Sequence, residues 1–208
     1  CKELGVKGLS SIEAIPPETT FVTVATPPAS HAAIVRVLLE KGFHVFCEKP
    51  LTLKMDEALA LRDLAANRGR QLGVGFKMRY EPWFQKAREL LPRLGRLYQV
   101  VTTKQQSYAQ GVGKQWIETT GAMQELSSHD FDLIHWIAGT RPKKMLHARL
   151  SHRLGWPAED GFSLVMEYEN GMVGSLNGLY SEKISWTGRD NSYRFAGENG
   201  YLAIDRFD

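Results

Sequence analysis

Between Phe21 and Phe76 the chain alternates short, β-branched apolar runs with stretches of helical period, and this rhythm restricts the fold more than any other feature. Phe21-Val22-Thr23-Val24-Ala25 reads as a strand that stops at Thr26-Pro27-Pro28. A helix is expected from about Ser30 to Lys41, with Ile34, Val35, Leu38 and Leu39 as its apolar stripe and Gly42 as its stop. Phe43 to Cys47 is the next strand. A second helix, from about Met55 to Asn67, should bury Leu59, Leu64 and their neighbours and stop at Gly69. The strand Leu72–Phe76 closes the series. Short runs that are apolar throughout read as buried strands, typically of a parallel sheet. Strand, helix and strand repeated at this spacing predict right-handed crossovers in a doubly wound parallel sheet.

In open sheets of this kind, ligands bind just beyond the carboxyl ends of the strands. The run His44-Val45-Phe46-Cys47 ends in Glu48-Lys49-Pro50-Leu51, so an acid and an amine fall at that rim. Pro50 fixes its own φ and biases Lys49 toward an extended conformation, which holds the amine in place. A surface ion pair at a solvated strand end would use the same residues, and the local pattern does not separate the two readings.

After Arg79 the rhythm changes. A helix is expected from about Pro82 to Leu91, then a strand Leu97–Thr103. Residues 104–118 are polar and read as a loop that could cover a site, and a helix should span roughly Ala122 to Ala138. From Lys143 onward the pattern is antiparallel: Lys144–Arg153, Gly161–Glu169, Met172–Ser181, Ser192–Ala196 and Tyr201–Ile204, with Asn170-Gly171 as a hairpin signal. The fold class is therefore α/β, Rossmann-like with a partial doubly wound parallel sheet, followed by an α+β domain with a large, mostly antiparallel sheet. The boundaries are residues 1–77 and 78–208. One face of the large sheet should be covered by helices and the other apolar.

Several function classes are set aside by composition. The formal net charge is only +3, and the densest basic group, Arg79, Lys86, Arg88, Arg93 and Arg96, reads as a solvated helix face rather than a phosphate track, so no nucleic-acid partner is expected. No apolar run approaches the roughly 20 residues that span a bilayer, so no membrane partner is expected. The two cysteines, Cys1 and Cys47, make no disulfide framework. Cys47 should be buried and reduced, which points to a cytoplasmic protein. His44 and Cys47 have the spacing of a metal pair, but alternation along a strand turns them apart unless the spacing is even, and a structural zinc needs four ligands; no metal is expected.

The second informative stretch is Gly121-Ala122-Met123-Gln124-Glu125-Leu126-Ser127-Ser128-His129-Asp130-Phe131-Asp132. Glu125 and His129 are i and i+4 on the expected helix and share a face; Asp132 follows three residues after His129. A carboxylate one turn from an imidazole can hold the ring and raise its basicity, as a proton-abstracting base requires. The same pair occurs on ordinary solvated helices. Ser128-His129-Asp130 is no hydrolase triad, because adjacent helical residues cannot face one another and no G-x-S-x-G elbow is present.

Glu48-Lys49-Pro50 after an apolar strand, the segment Ala25-Thr26-Pro27-Pro28-Ala29-Ser30-His31 before it, and the Glu125/His129/Asp132 helix together resemble the Gfo/Idh/MocA family. These are NAD(P)-dependent oxidoreductases named after glucose–fructose oxidoreductase, inositol dehydrogenase and a rhizopine catabolism protein. The resemblance covers nearly the whole chain. It implies NAD or NADP as cofactor and a sugar, polyol or inositol-like substrate, with Lys49, His129 and Glu125 as catalytic residues. Thr26, Pro27, His31, Glu48, Lys49 and Arg79 would bind cofactor, and Lys49, Trp116, Glu125 and His129 substrate. Tyr108 and Trp116 are candidate platforms for a sugar ring, with plain packing as the competing reading. The amine of Lys49 and the imidazole of His129 should converge on one alcohol oxygen. The apolar sheet face would form a homodimer or homotetramer, as the family's does.

Two departures stand beside the resemblance. The family commonly has Asp at the Glu125 position, preceded by a more glycine-rich turn than Thr119-Thr120-Gly121. Its G-x-G-x-x-G fingerprint is not found ahead of Phe21, so the chain is expected to open inside the nucleotide-binding domain; the residue that selects NAD over NADP lies in the same missing region. Two rival functions remain: an NAD-dependent glycosidase of the same family, and a non-catalytic nucleotide-binding or scaffold protein.

Overall fold

The structure, a computed structural model, describes residues 5–107, 116–181 and 189–207. The chain divides into two compact units, Cys1–Gly75 and Phe76–Asp208.

In the first unit, β1 (Phe21–Val24), β2 (His44–Cys47) and β3 (Leu72–Val74) form a parallel sheet in the order β1-β2-β3. Phe21 is opposite His44 and Val45 opposite Leu72. Helix α1 (His31–Glu40) joins the first pair and α2 (Met55–Asn67) the second. Both follow from the sequence period: α1 buries Val35, Leu38 and Leu39 against Val24, Val45 and Cys47. In α2 the inward side is set by Leu61 and Ala65, four apart, whereas Leu59 is 42% exposed and Leu64 only partly buried. The expected burial of Leu59 is thus corrected by one phase of the helix: Leu61 faces the core, and a residue two positions away points some 200° around the axis. The third strand also ends earlier than expected, at Val74, although the Gly75 N–H still donates to the Cys47 carbonyl at 2.8 Å. A short 3-10 turn, Lys77–Tyr80, opens the second unit.

The second unit has a six-stranded sheet backed by helices. Helix α3 (Pro82–Leu90) leads through a 3-10 turn to β4 (Leu97–Ser107); α4 (Ile117–Thr120), a π-helical turn (Met123–Ser127) and α5 (Ser128–Ala138) precede β5 (Pro142–Ser151), β6 (Gly161–Tyr168), β7 (Val173–Ser181), β8 (Arg189–Gly197) and β9 (Gly200–Phe207). The strand order is β5-β6-β7-β4-β8-β9, antiparallel except where β4 runs parallel to β7. The Asn170-Gly171 turn closes as the sequence suggests, with Gly171 at φ +82 and the Asn170 side chain accepting the Met172 N–H. Alternation along the strands sends Val100, Leu164, Met166, Leu176, Tyr193 and Phe195 toward Phe84, Leu133, Ile134 and Ile137.

Three expectations need correction here. Strand β4 does not end at Thr103; Lys104 to Ser107 continue it, and Lys104 is buried at 3% exposure. A polar run can stay in a sheet when its inward side chains meet buried partners, and Lys104 meets Asp130. The helix expected over Ala122–Ala138 is instead a π-turn followed by α5. The opposite sheet face is not apolar: Thr103, Gln105, Ser163, Ser175 and Asn177 stand between Val101, Val165 and Leu179, with Ser163 donating to Asn177 at 2.7 Å. The inward positions took the large apolar side chains and left the outward ones mixed.

Candidate active site

The carboxyl ends of β1 and β2 are drawn together by one side chain. His31 opens α1, is fully buried, and places Nδ1 2.8 Å from the Pro50 carbonyl and Nε2 2.7 Å from the Thr26 carbonyl. It therefore spans the loop after β1 and the loop that carries Lys49. Thr26 and Pro27 remain exposed, with the Thr26 hydroxyl 2.7 Å from that of Ser30. Glu48 is exposed and lies across Gly75, where a Cβ would come within 3.1 Å of its carboxylate. The Glu48 N–H donates to the Val24 carbonyl at 2.9 Å, so the β1–β2 ladder runs up to the residue before Lys49, which is half-buried. His31 is thus placed among backbone carbonyls, beneath the surface that Thr26, Pro27 and Glu48 present.

His44 and Cys47, whose spacing matches a metal pair, have other surroundings within this unit. The His44 Nδ1 accepts the Gln71 N–H at 2.9 Å, and burial, with a smaller push from Glu48, raises the Cys47 thiol to about 12. A thiol held protonated at neutral pH is a poor nucleophile.

In the second unit, His129 lies in the first turn of α5, buried at 9% exposure, and the Phe76 ring meets it edge-on with centroids 6.3 Å apart. Glu125, half-buried, sits in the π-turn before it. Arg79 reaches across with a bidentate pair: its Nε donates to Asp132 Oδ2 at 2.8 Å and its Nη2 to Oδ1. Such fork-to-carboxylate pairs are among the strongest polar contacts a protein makes. In this Arg79–Asp132 pair the hydrogen bond to Asp132 holds the guanidinium's proton more firmly than usual. Trp116 is partly buried just before α4 and packs against the core of the second unit. Tyr108 lies outside the described residues.

Two further groups hold this helix, and neither was singled out from the sequence. Glu159 caps its start: Oε1 accepts the Met123 N–H at 2.8 Å and the Glu159 carbonyl accepts the Ala122 N–H at 2.9 Å. Gly121, at φ +88, is required there, since a Cβ would fall on the Glu159 carboxylate. Beneath the turn, Lys104 Nζ is 2.7 Å from the Leu126 carbonyl and 2.8 Å from Asp130 Oδ1, which also accepts the Tyr193 hydroxyl at 2.7 Å. Burial pushes the Lys104 ammonium down and the Asp130 carboxyl up, each opposed by the other's charge. The only sequence signal for this network is the acid next to His129. Its cation stands on a strand 26 positions away, which no local period relates to the helix.

Residues 1–76 match the family model described as an oxidoreductase family with an NAD-binding Rossmann fold, and residues 84–203 match the GFO/IDH/MocA C-terminal domain. The chain is similar to an oxidoreductase of Synechocystis sp., 34% identical over 143 residues that make up 65% of this chain and 38% of that protein. It is similar also to an inositol 2-dehydrogenase of Rhizobium meliloti, 28% identical over 140 residues, 66% of this chain and 42% of that one. The chain spans less than half the length of these curated relatives. Among solved structures, an inositol dehydrogenase homolog from Azotobacter vinelandii, complexed with NADH and myo-inositol, superposes with a TM-score of 0.80 at 25% identity, over 89% of this chain and 50% of that chain.

Proposed function

Because this chain belongs to the Gfo/Idh/MocA family of oxidoreductases, we propose that it transfers hydride between NAD or NADP and a secondary alcohol of a sugar, polyol or inositol-like substrate. The observation that carries the reading is an amine, Lys49, two residues past the end of the middle strand of a parallel sheet, in a chain matched by both domain models of the family. The exposed carboxyl ends of β1 and β2, with Thr26, Pro27 and Glu48 at the rim, fit one side of a dinucleotide. When bound, the nicotinamide supplies the hydride chemistry.

The chain's own residues do the rest. Lys49 donates a hydrogen bond to the reacting alcohol oxygen and steadies the negative charge that develops there. His129, buried and met edge-on by the Phe76 ring, takes the hydroxyl proton. Glu125 orients His129 or accepts from a second hydroxyl of the substrate. His31 acts through Lys49 by holding the Pro50 carbonyl, and Arg79 acts through Asp132 on the helix that bears His129. Self-association would use the open, mixed-polarity face of the large sheet.

The test is turnover of a sugar and polyol panel by the full-length protein, followed at the NAD(P)H absorbance. Lys49→Ala should lower kcat by about 10²- to 10³-fold while the folded protein keeps binding cofactor. Free sugar released from a glycoside without net NAD(P)H would turn the reading to a glycosidase. Cofactor binding without turnover on any member of the panel would leave the nucleotide-binding reading in its place.

A further inference from the structure

We propose that Lys104 is a positioning residue for the site above, closing the π-turn Met123–Ser127 from below and so fixing how Glu125 is presented beside His129; the inference rests on the oxidoreductase reading of that site. The geometry starts from the turn. A π-turn takes up one residue more than an α-turn, which rotates whatever precedes it by about 100° relative to a continuous α-helix. Glu125 lies inside this turn and His129 just after it, so their mutual bearing is a property of the turn rather than of an i, i+4 helix. π-turns are less stable than the α-helix they interrupt and persist where neighbouring groups hold them.

This one is held at both ends. Glu159 takes the N–H of its first residue, Met123, and Lys104 donates to the carbonyl of its fourth, Leu126. The Ser127 hydroxyl returns to the Met123 carbonyl and ties the ends together. Lys104 can be this donor because its charge is answered where it lies. Asp130 sits 2.8 Å away, Glu125 and Glu81 add attraction, and the ammonium stands 5.7 Å over the Tyr193 ring. Tyr193 in turn donates to Asp130, which fixes the carboxylate as a base for the ammonium. A buried ion pair is weak evidence for stability, and a well-packed apolar pair often replaces one without loss. Here the pair aims one N–H at one carbonyl of the turn that carries Glu125, which an apolar pair would not do.

The test uses the full-length protein with bound cofactor. Lys104→Met alone leaves Asp130 buried without its cation, so the informative variant is Lys104→Met with Asp130→Asn, which removes both charges together. Backbone hydrogen exchange over residues 123–130 should quicken by about tenfold. The kcat on the best alcohol should fall by about 10- to 100-fold, as for a catalytic group displaced by about 1 Å, with substrate KM nearly unchanged. Should that variant not fold, Tyr193→Phe deletes a single hydroxyl and should move the same exchange and the same kcat in the same direction by a smaller factor. A folded variant that keeps the parent's exchange across the turn overturns the proposal, and so does a loosened turn with the parent's kcat. If the parent itself turns over no alcohol, the oxidoreductase reading falls, while the exchange comparison still decides whether Lys104 sets the turn.

Discussion

The two units hold their candidate catalytic side chains by opposite means. In the first, Lys49 is carried by backbone: a parallel ladder that runs to Glu48, a proline, and a histidine that spans two carbonyls. In the second, Glu125 and His129 ride on a helix held by charges, namely Arg79 on Asp132, Lys104 on Asp130, and Glu159 on the Met123 N–H. The difference teaches what each part can tolerate. A backbone frame depends on strand pairing and on one buried ring, and changes of surface charge should leave it unmoved. A charged frame is satisfied only while both members of each pair are present, because a buried charge without its partner costs far more than the pair gains.

The sharpest way to break the comparison is to leave one buried charge alone. Asp130→Ala strands the Lys104 ammonium and should destabilise the second unit by about 3–5 kcal/mol, read as a shift of the denaturant midpoint; a change below about 1 kcal/mol, the size of an exposed pair, would put that unit's frame on the same footing as the first. Next is His31→Ala, which removes the ring that lies between the Thr26 and Pro50 carbonyls and leaves at least one of them without its donor. A buried unsatisfied group costs about 1–3 kcal/mol, so the first unit should lose stability in that range, with turnover falling through Lys49. Gln at this position can reach only one of the two carbonyls well and should recover part of the loss.

The smallest effect is acidic. Burial alone would raise Asp160, but the Ser151 hydroxyl and the N–H groups of Leu154 and Arg153 outweigh it and hold the carboxyl below its ordinary value. A lowered folded-state pKa means the contribution is complete above the unfolded value of about 3.9 and is lost as pH falls through the folded value. Melting temperature against pH should therefore drop less steeply on the acid side for Asp160→Asn than for the parent, from a lower plateau. Equal acid slopes would remove Asp160 from the charged frame.

The same contrast governs what could be read from the sequence. The parallel unit was legible because its strands are apolar runs and its helices carry a regular stripe; α2 is expected and found at Met55–Asn67, and the error there was one of phase, at Leu59. The second unit was legible in its hairpins and opaque in its polar interior. Lys104-Gln105-Gln106-Ser107 reads as loop because four polar residues carry no strand signal, yet the partner that lets Lys104 be buried is on another element. The π-turn is invisible for the same reason: its hydrogen bonds are to Glu159 and Lys104, both distant in sequence, and no local propensity marks it. The parallel β4–β7 pairing inside an antiparallel sheet likewise leaves no trace in alternation, which is identical for either direction.

The connection from Ser151 to Asp160 looks like an ordinary hairpin excursion, the kind of place where chains accept insertions freely. It is instead a mortise. Its last acid is sunk among the Ser151 hydroxyl and the Arg153 and Leu154 amides, the acid before it seats the first N–H of the π-turn, and the Ala158 N–H is fastened to the Glu118 carbonyl at 3.1 Å. A residue gained or lost in that span would be transmitted as a displacement of the helix that bears His129, so a segment distant in sequence sets how His129 is seated.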